Sequence, residues 1–123
     1  MVQFDVPGRP IGKPRQTQRD KWAKRPAVLR YRAYADALRL AAPKGLPAEP
    51  FQLSVTFRIP MPATWPKRKR AEMDGQFHRQ KPDVSNLLKS VEDALWSEDQ
   101  QIAAACALKL WTAGPGLTSV TVI

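Results

Sequence analysis

The strongest constraint on the fold is the stretch FQLSVTFRI at residues 51–59, in which apolar and polar residues alternate. Successive side chains of a β-strand point to opposite faces of a sheet, so this pattern predicts a half-buried strand. Its apolar face would hold Phe51, Leu53, Val55, Phe57 and Ile59. The fold must therefore contain a sheet with one covered face.

The remaining periodic stretches predict three more strands and two helices. Strands are predicted at residues 2–7, 102–111 and 117–123, and the turn sequence AGPG at 113–116 predicts that the last two form a hairpin. One helix runs from Pro26 to just before Pro43, with Leu29, Ala33, Ala37 and Leu40 on its apolar face, and the other covers residues 84–96. The order predicts an α+β fold: a single small domain over residues 1–123, with a mixed β-sheet of about four strands packed against two main helices.

Basic residues are concentrated in two segments. Residues 9–32 hold nine basic residues and one acid, and the formal net charge of the whole chain is +9. The second cluster lies in residues 60–82, which hold four prolines and show no period, so they predict a long basic loop. A solvated surface would explain the charge alone. Aromatic residues among the cations (Trp22, Tyr31, Tyr34 and Trp65) favour a nucleic-acid partner instead.

Five of the eleven acidic residues fall within residues 81–101, KPDVSNLLKSVEDALWSEDQQ. On a helix, Val84, Leu88, Val91 and Leu95 would form an apolar stripe that faces the core. Ser85, Lys89, Glu92 and Trp96 would follow one flank of that stripe, and Asn86 and Asp93 would be exposed. Asp83, Glu98 and Asp99 flank the helix, either as a cap and turn residues or as ligands of a divalent cation.

Other chemistries have less support in the sequence. Cys106, within AAACALKLW, is expected to be a buried apolar residue, and His78 is expected to be exposed in the basic loop or to contact a phosphate. The first residues do not resemble a signal peptide, and no apolar run is long enough to span a membrane. We therefore expect a cytoplasmic protein without a membrane partner.

KPDVSNLLKSVEDAL followed by WSEDQQI resembles the signature of the RusA family of Holliday-junction resolvases, and GRPIGKPRQTQRDKW and PMPATWPKRKRAEMDGQ resemble its phage-type members. The resemblance implies a magnesium-dependent endonuclease, with manganese as a substitute, that acts as a homodimer and places paired symmetrical nicks in four-way DNA junctions. It also implies a bacterial or phage-encoded protein associated with the nucleoid, acting in recombination and repair.

The resemblance carries over to individual residues. Asp83 and Asp99 match metal-binding aspartates, Lys89 matches the lysine that assists, and Glu98 stands where the family often has a paired aspartate. Ser85 replaces another motif aspartate, and Glu92, on the flank of Ser85, is a candidate replacement ligand. Contacts to DNA phosphates are expected from a larger basic set: Lys13, Arg15, Arg19, Lys67, Arg68, Lys69, Arg70 and Lys81.

Two alternatives to a junction resolvase stay open. One is a non-catalytic, structure-selective DNA-binding protein whose RusA-like site has degenerated at Ser85. The other is a nuclease with the same site that acts on flaps or other branched DNA. Trp65 or Phe77 would either wedge into the junction or anchor the basic loop.

Overall fold

The computed structural model describes residues 1–14, 25–47, 52–96 and 102–123. These residues form, in order, β1 (Val2–Pro7), α1 (Pro26–Ala41), β2 (Gln52–Pro60), α2 (Lys67–Met73), α3 (Val84–Leu95), β3 (Ala104–Thr112) and β4 (Leu117–Val122). The four strands make one mixed sheet, and α1 and α3 pack against it and against each other. The predicted α+β fold is confirmed.

The sheet has the order β1-β4-β2-β3. β2 pairs in parallel with β3 and antiparallel with β4, so the prediction that β3 and β4 form a hairpin is wrong. Pro60 lies opposite Thr112 and Arg58 opposite Leu117, which means that residues 113–116 cross the end of β2. β2 thereby takes an internal position, where both neighbours satisfy its backbone groups.

The alternation of β2 is confirmed in the structure. Leu53, Val55, Phe57 and Ile59 are each no more than 2% exposed, and the residues between them are half-buried. Phe51, the remaining member of the predicted face, lies outside the described residues. This face of the sheet supplies the centre of the core on which α1 and α3 pack.

The bounds of α1 agree with the prediction, but its predicted apolar face is wrong. The buried residues are Val28, Tyr31, Tyr34, Ala35 and Leu38, whereas Leu29, Ala33 and Leu40 are exposed. The two tyrosines bring more apolar area than alanines do, and the hydroxyl of Tyr34 lies 2.5 Å from Oγ1 of Thr118, which satisfies its polar end. Tyr31 and Tyr34 are therefore buried residues, which corrects the interpretation of their rings as a sign of a nucleic-acid partner.

A short helix, α2, occupies part of the segment that was expected to have no regular structure. Its sequence, KRKRAEM, consists of residues with good helix propensity, and it begins directly after Pro66. It ends at Met73, and Asp74 is followed by Gly75 at a φ of +81°, a conformation that glycine adopts without strain. None of the helices in the described part of the chain is long and apolar enough to cross a membrane.

β3 lies at one edge of the sheet. Beside its C-terminal half, the N–H of His78 donates to the carbonyl of Lys109, and the N–H of Trp111 donates to the carbonyl of Gln76. At the other end of the strand Cys106 is exposed, which corrects the expectation of a buried thiol. The reason is its place in the sheet, because strand residues at an edge are covered on fewer sides than residues of internal strands.

Candidate active site

Asp83 stands at the N-terminus of α3. Its carbonyl oxygen accepts a hydrogen bond from the N–H of Leu87 at 3.1 Å, so its backbone begins the helix. Its side chain makes no capping hydrogen bond, and the residue is exposed. The carboxylate oxygens of Asp83 therefore face solvent, in a surface depression that Lys81, Pro82 and Asn86 also line.

Lys109, on β3, fixes the segment that leads to Asp83. Its Nζ donates hydrogen bonds to the carbonyl oxygens of Gln80 and Pro82, each at 2.7 Å. Burial lowers the pKa of Lys109, and the negative charge of Asp83 opposes that shift. Sequence reasoning missed this residue, although a single lysine within the apolar stretch IAAACALKLW was a signal that could have revealed it.

The face that α3 turns toward the core differs from the predicted one. Leu87, Ser90, Val91 and Ala94 are buried, whereas Val84, Leu88 and Leu95 are only half-buried. Only Val91 belongs to both sets. The predicted stripe was displaced because Ser90 and Ala94 were not counted as core residues, although Ser90 satisfies its hydroxyl by donating to the carbonyl of Leu87 at 2.7 Å.

This displacement changes where the polar residues of α3 lie. Ser85 and Lys89 are exposed and Glu92 is half-buried; at about 100° per residue the three share one side of the helix, opposite Leu87. Asn86 and Asp93 lie on another side and are half-buried, so the expectation that they are exposed is wrong. Glu92 and Ser85 share a side of α3, as predicted, about 10 Å apart along the helix axis. That side lies opposite the buried Leu87, so the expectation that it follows the edge of the core stripe is wrong.

The segment before residue 14 packs along the side of α3 that holds Asn86 and Asp93. Ser90 Oγ lies 2.9 Å from the carbonyl oxygen of Ile11, and Lys13 Nζ lies 2.6 Å from a carboxylate oxygen of Asp93. At Gly12 the approach is so close that a Cβ atom would come within 2.5 Å of the Asn86 side chain. Lys13 therefore has an intramolecular partner, and its contact with DNA stays a prediction.

His78 and two tryptophans form an aromatic cluster between α2 and the sheet. The ring centroid of Trp111 lies 4.1 Å from that of His78 and 4.7 Å from that of Trp65. His78 is 5% exposed, so the expectation that it is exposed in the basic loop is wrong. Trp65 anchors the segment that carries α2, whereas Phe77 is 61% exposed.

The cations of α2 have different environments. Lys67, Arg68 and Lys69 are exposed, and the Lys69 ammonium lies 4.1 Å from the centroid of the Trp65 ring. Arg70 instead donates to the carbonyl oxygens of Pro62 and Ala113, at 2.9 and 3.5 Å, which fastens the helix to its surroundings. Lys81 is exposed beside Asp83. Arg15 and Arg19 lie outside the described residues.

The acidic residues of the predicted metal site are only partly described. Asp83 and Glu92 are placed by α3, whereas Glu98 and Asp99 lie outside the described residues. Within the described ranges, no three His, Cys, Asp or Glu side chains are grouped so that they could hold a metal ion. The predicted ligand set therefore stays a prediction.

A family model described as Endodeoxyribonuclease RusA matches residues 7–122, nearly the whole chain. The chain belongs to the RusA family. No curated protein matches it. The match confirms the resemblance read from the sequence, and membership of the RusA family implies the activity of a Holliday-junction endonuclease. The RusA match includes Asp83 and α3, together with Lys109 and the aromatic cluster.

Proposed function

We propose that this RusA-family protein is a magnesium-dependent endodeoxyribonuclease that resolves four-way DNA junctions by paired symmetrical nicks. The observation that carries the proposal is the placement of Asp83. Within a chain matched over residues 7–122 by an endonuclease family, this carboxylate is exposed, is not used to cap α3 and follows a segment braced by Lys109. Manganese is expected to substitute for magnesium.

The residues fit a hard divalent cation in their chemistry. Magnesium prefers carboxylate oxygens and water, and the exposed carboxylate of Asp83 meets that preference. Asp99, Glu98 and Glu92 are proposed as the further carboxylates, with Glu92 in the place of the aspartate that Ser85 replaces. When bound, the cation would neutralise charge on the scissile phosphate and activate a water molecule.

The cationic residues have separate proposed roles. Lys89, exposed on the side of α3 that holds Ser85, would stabilise the charge that develops on the phosphate. Lys81 and the exposed cations of α2, Lys67 to Lys69, would contact backbone phosphates, as would Arg15 and Arg19. Such contacts give affinity that falls with salt and carry no sequence information.

A homodimer is proposed because resolution needs two coordinated cuts, and a twofold enzyme suits a symmetric junction. The biological role proposed from family membership is recombination and repair of bacterial or phage DNA in association with the nucleoid.

One observation favours a second candidate, a structure-selective DNA-binding protein without catalysis. Ser85 replaces a motif carboxylate, and a serine hydroxyl is a weaker ligand for magnesium than a carboxylate. Both candidates predict junction binding that weakens with salt, but only the enzyme predicts nicking.

The test is a cleavage assay on a synthetic four-way junction and a linear duplex, with and without magnesium. We expect nicks at symmetrical positions in the junction only, and only with magnesium. Asp83→Asn should bind the junction and leave it uncut. The matched control is Asp36→Asn, which changes an exposed carboxylate on α1 and should cut like the unmodified protein. Salt-sensitive binding without any nicking would favour the second candidate.

A further inference from the structure

A cavity of about 450 Å³ adjoins the candidate active site. It lies at the end of β2, and its lining includes Arg9, Met61, Ala63, His78, Lys81 and Trp111. Lys81 also lines the surface depression that contains Asp83. The cavity and the depression at the candidate catalytic carboxylate therefore share Lys81 as a lining residue.

The charges around this cavity favour an anionic ligand. Arg9 and Lys81 are exposed at its mouth, and none of the acidic residues that the structure describes belongs to its lining. Met61, His78 and Trp111 are buried in its wall, each no more than 6% exposed. The cavity thus places cations near solvent, with an imidazole and an indole in its wall, which suits a nucleotide whose phosphate stays at the mouth.

His78 gives the interior a neutral polar group. Its Nδ1 accepts a hydrogen bond from the N–H of Gln80 at 3.4 Å, which leaves the ring proton on Nε2. Burial lowers the pKa of His78, and the positive charges of Lys109 and Arg9 lower it further. At neutral pH the imidazole is therefore uncharged and can donate one hydrogen bond to an acceptor on a base.

We propose that this cavity binds one unpaired nucleotide of the cut strand, next to the phosphate at Asp83. Its volume falls in the range of pockets for small organic ligands, roughly 300 to 1,000 Å³, and exceeds what a phosphate alone would fill. A base within a duplex is paired and stacked, so it must leave the helix to enter a cavity. Bases at a branch point leave most easily, and the cavity would thereby contribute to selection of branched DNA.

The proposal rests on the proposed endonuclease function, so it is tested by binding as well as by cleavage. Ala63→Trp places a large side chain at an exposed position of the cavity lining, and Thr64→Trp, at the exposed neighbouring residue outside the lining, is the matched control. The probe is a four-way junction with 2-aminopurine at the branch point, a base whose fluorescence rises when it unstacks. Without any metal, we expect fluorescence to rise with the unmodified protein and Thr64→Trp but not with Ala63→Trp.

A second measurement uses cleavage of a junction that lacks the base of the nucleotide beside the scissile phosphate. Loss of that base should slow the unmodified protein about tenfold and should slow Ala63→Trp no further than the cavity change already does. If loss of the base slowed the unmodified protein and Ala63→Trp equally, or if fluorescence rose equally with both, the cavity proposal would be overturned. The proposed endonuclease function would be unaffected. If the fluorescence results were as expected but the junction was not cut when magnesium was added, the cavity proposal would be supported and the proposed endonuclease function overturned. If Ala63→Trp fails to fold, Arg9→Gln takes its place, because it changes an exposed residue of the cavity lining. We expect this variant to bind the junction more weakly.

Discussion

The Nζ atom of Lys109 lies 2.7 Å from the carbonyl oxygen of Pro82, the residue directly before Asp83. The same ammonium binds the carbonyl of Gln80, so a strand of the sheet holds both sides of Lys81. A charged group that donates to two backbone carbonyls fixes a segment more firmly than neutral hydrogen bonds would. The position of Asp83 thus depends on β3 as well as on α3.

Lys109→Met removes both of these hydrogen bonds. We expect the free energy of unfolding to fall by about 2 kcal/mol, and the magnesium concentration for half-maximal cleavage to rise because Asp83 is held less firmly. Lys44→Met, at an exposed lysine beyond α1, is the control and should change neither value. If stability fell while the magnesium requirement stayed the same, Lys109 would have a structural role only.

The pair formed by Lys13 and Asp93 predicts a coupling between the N-terminal segment and α3. Their side chains are 35% and 22% exposed, so we expect a modest coupling energy of about 1 kcal/mol in a double-mutant cycle with Lys13→Met and Asp93→Asn. Chemical denaturation measures it. Absence of coupling together with a loss of junction affinity in Lys13→Met would assign Lys13 to DNA binding instead.

Tyr34 predicts a loss of stability in alkaline solution. Burial raises its pKa from 10.0 to about 12, against the smaller opposing effect of its hydrogen bond with Thr118. The folded state holds the phenolic proton more tightly than the unfolded state does. The stability that this provides is complete below about pH 10 and is lost as the pH rises toward 12.

Urea unfolding at several pH values between 8 and 11 tests this prediction, with Tyr34→Phe as the comparison. The free energy of unfolding of the variant should be about 1 kcal/mol lower at pH 8, because Thr118 loses its hydrogen-bond partner. As the pH rises, this free energy should fall less steeply for the variant than for the unmodified protein. Parallel curves would show that Tyr34 does not cause the alkaline loss.

Cys106 predicts an accessible thiol. Because it is exposed on β3, a disulfide reagent such as DTNB should modify the native protein about as fast as the urea-unfolded protein at the same pH. Cys106→Ala should show no reaction and unchanged stability. If the Cys106 thiol reacted slowly in concentrated protein and quickly after dilution, it would be covered in the dimer. The dimer interface would then include β3.

Ser85 and Glu92 predict opposite effects on magnesium use. Ser85→Asp adds a carboxylate on the same side of α3 as Glu92, and we expect it to lower the magnesium concentration needed for cleavage. Glu92→Gln should raise it about tenfold or more if Glu92 is a ligand. If Glu92→Gln cuts normally while Asp83→Asn is inactive, Glu92 does not replace the missing aspartate.

The alternation of β2 and the bounds of α1 and α3 were predictable from the sequence, because β2 alternates without interruption and prolines mark where both helices begin. The short helix α2 was missed. The buried faces of α1 and α3 were not predictable. Tyrosine and serine become core residues only when a partner satisfies their polar atoms, as Thr118 does for Tyr34, and that partner lies far away in sequence. The position of β2 between β3 and β4 was missed for the same reason, since local turn signals say nothing about which strand lies between two others.

In the candidate site, too, local features were predictable from the sequence and contacts between distant residues were not. Asp83 and Lys89 were predicted from a local motif and Glu92 from its position on the helix, whereas Lys109 and His78 make their contacts across long sequence separations. A buried imidazole in a basic segment is unexpected from composition, and it becomes understandable only once Trp111 is placed beside it at 4.1 Å.

The segment that carries α2 leaves and rejoins the sheet at almost the same place. The N–H of Met61 donates to the carbonyl of Thr112, and the N–H of Gly75 donates to the carbonyl of the adjacent residue, Trp111. Because both ends of this segment are fixed close together, its length and sequence can change with little effect on the stability of the sheet. The segment that carries α2 can therefore be replaced, in evolution or by design, without a change in the position of α3 and Asp83.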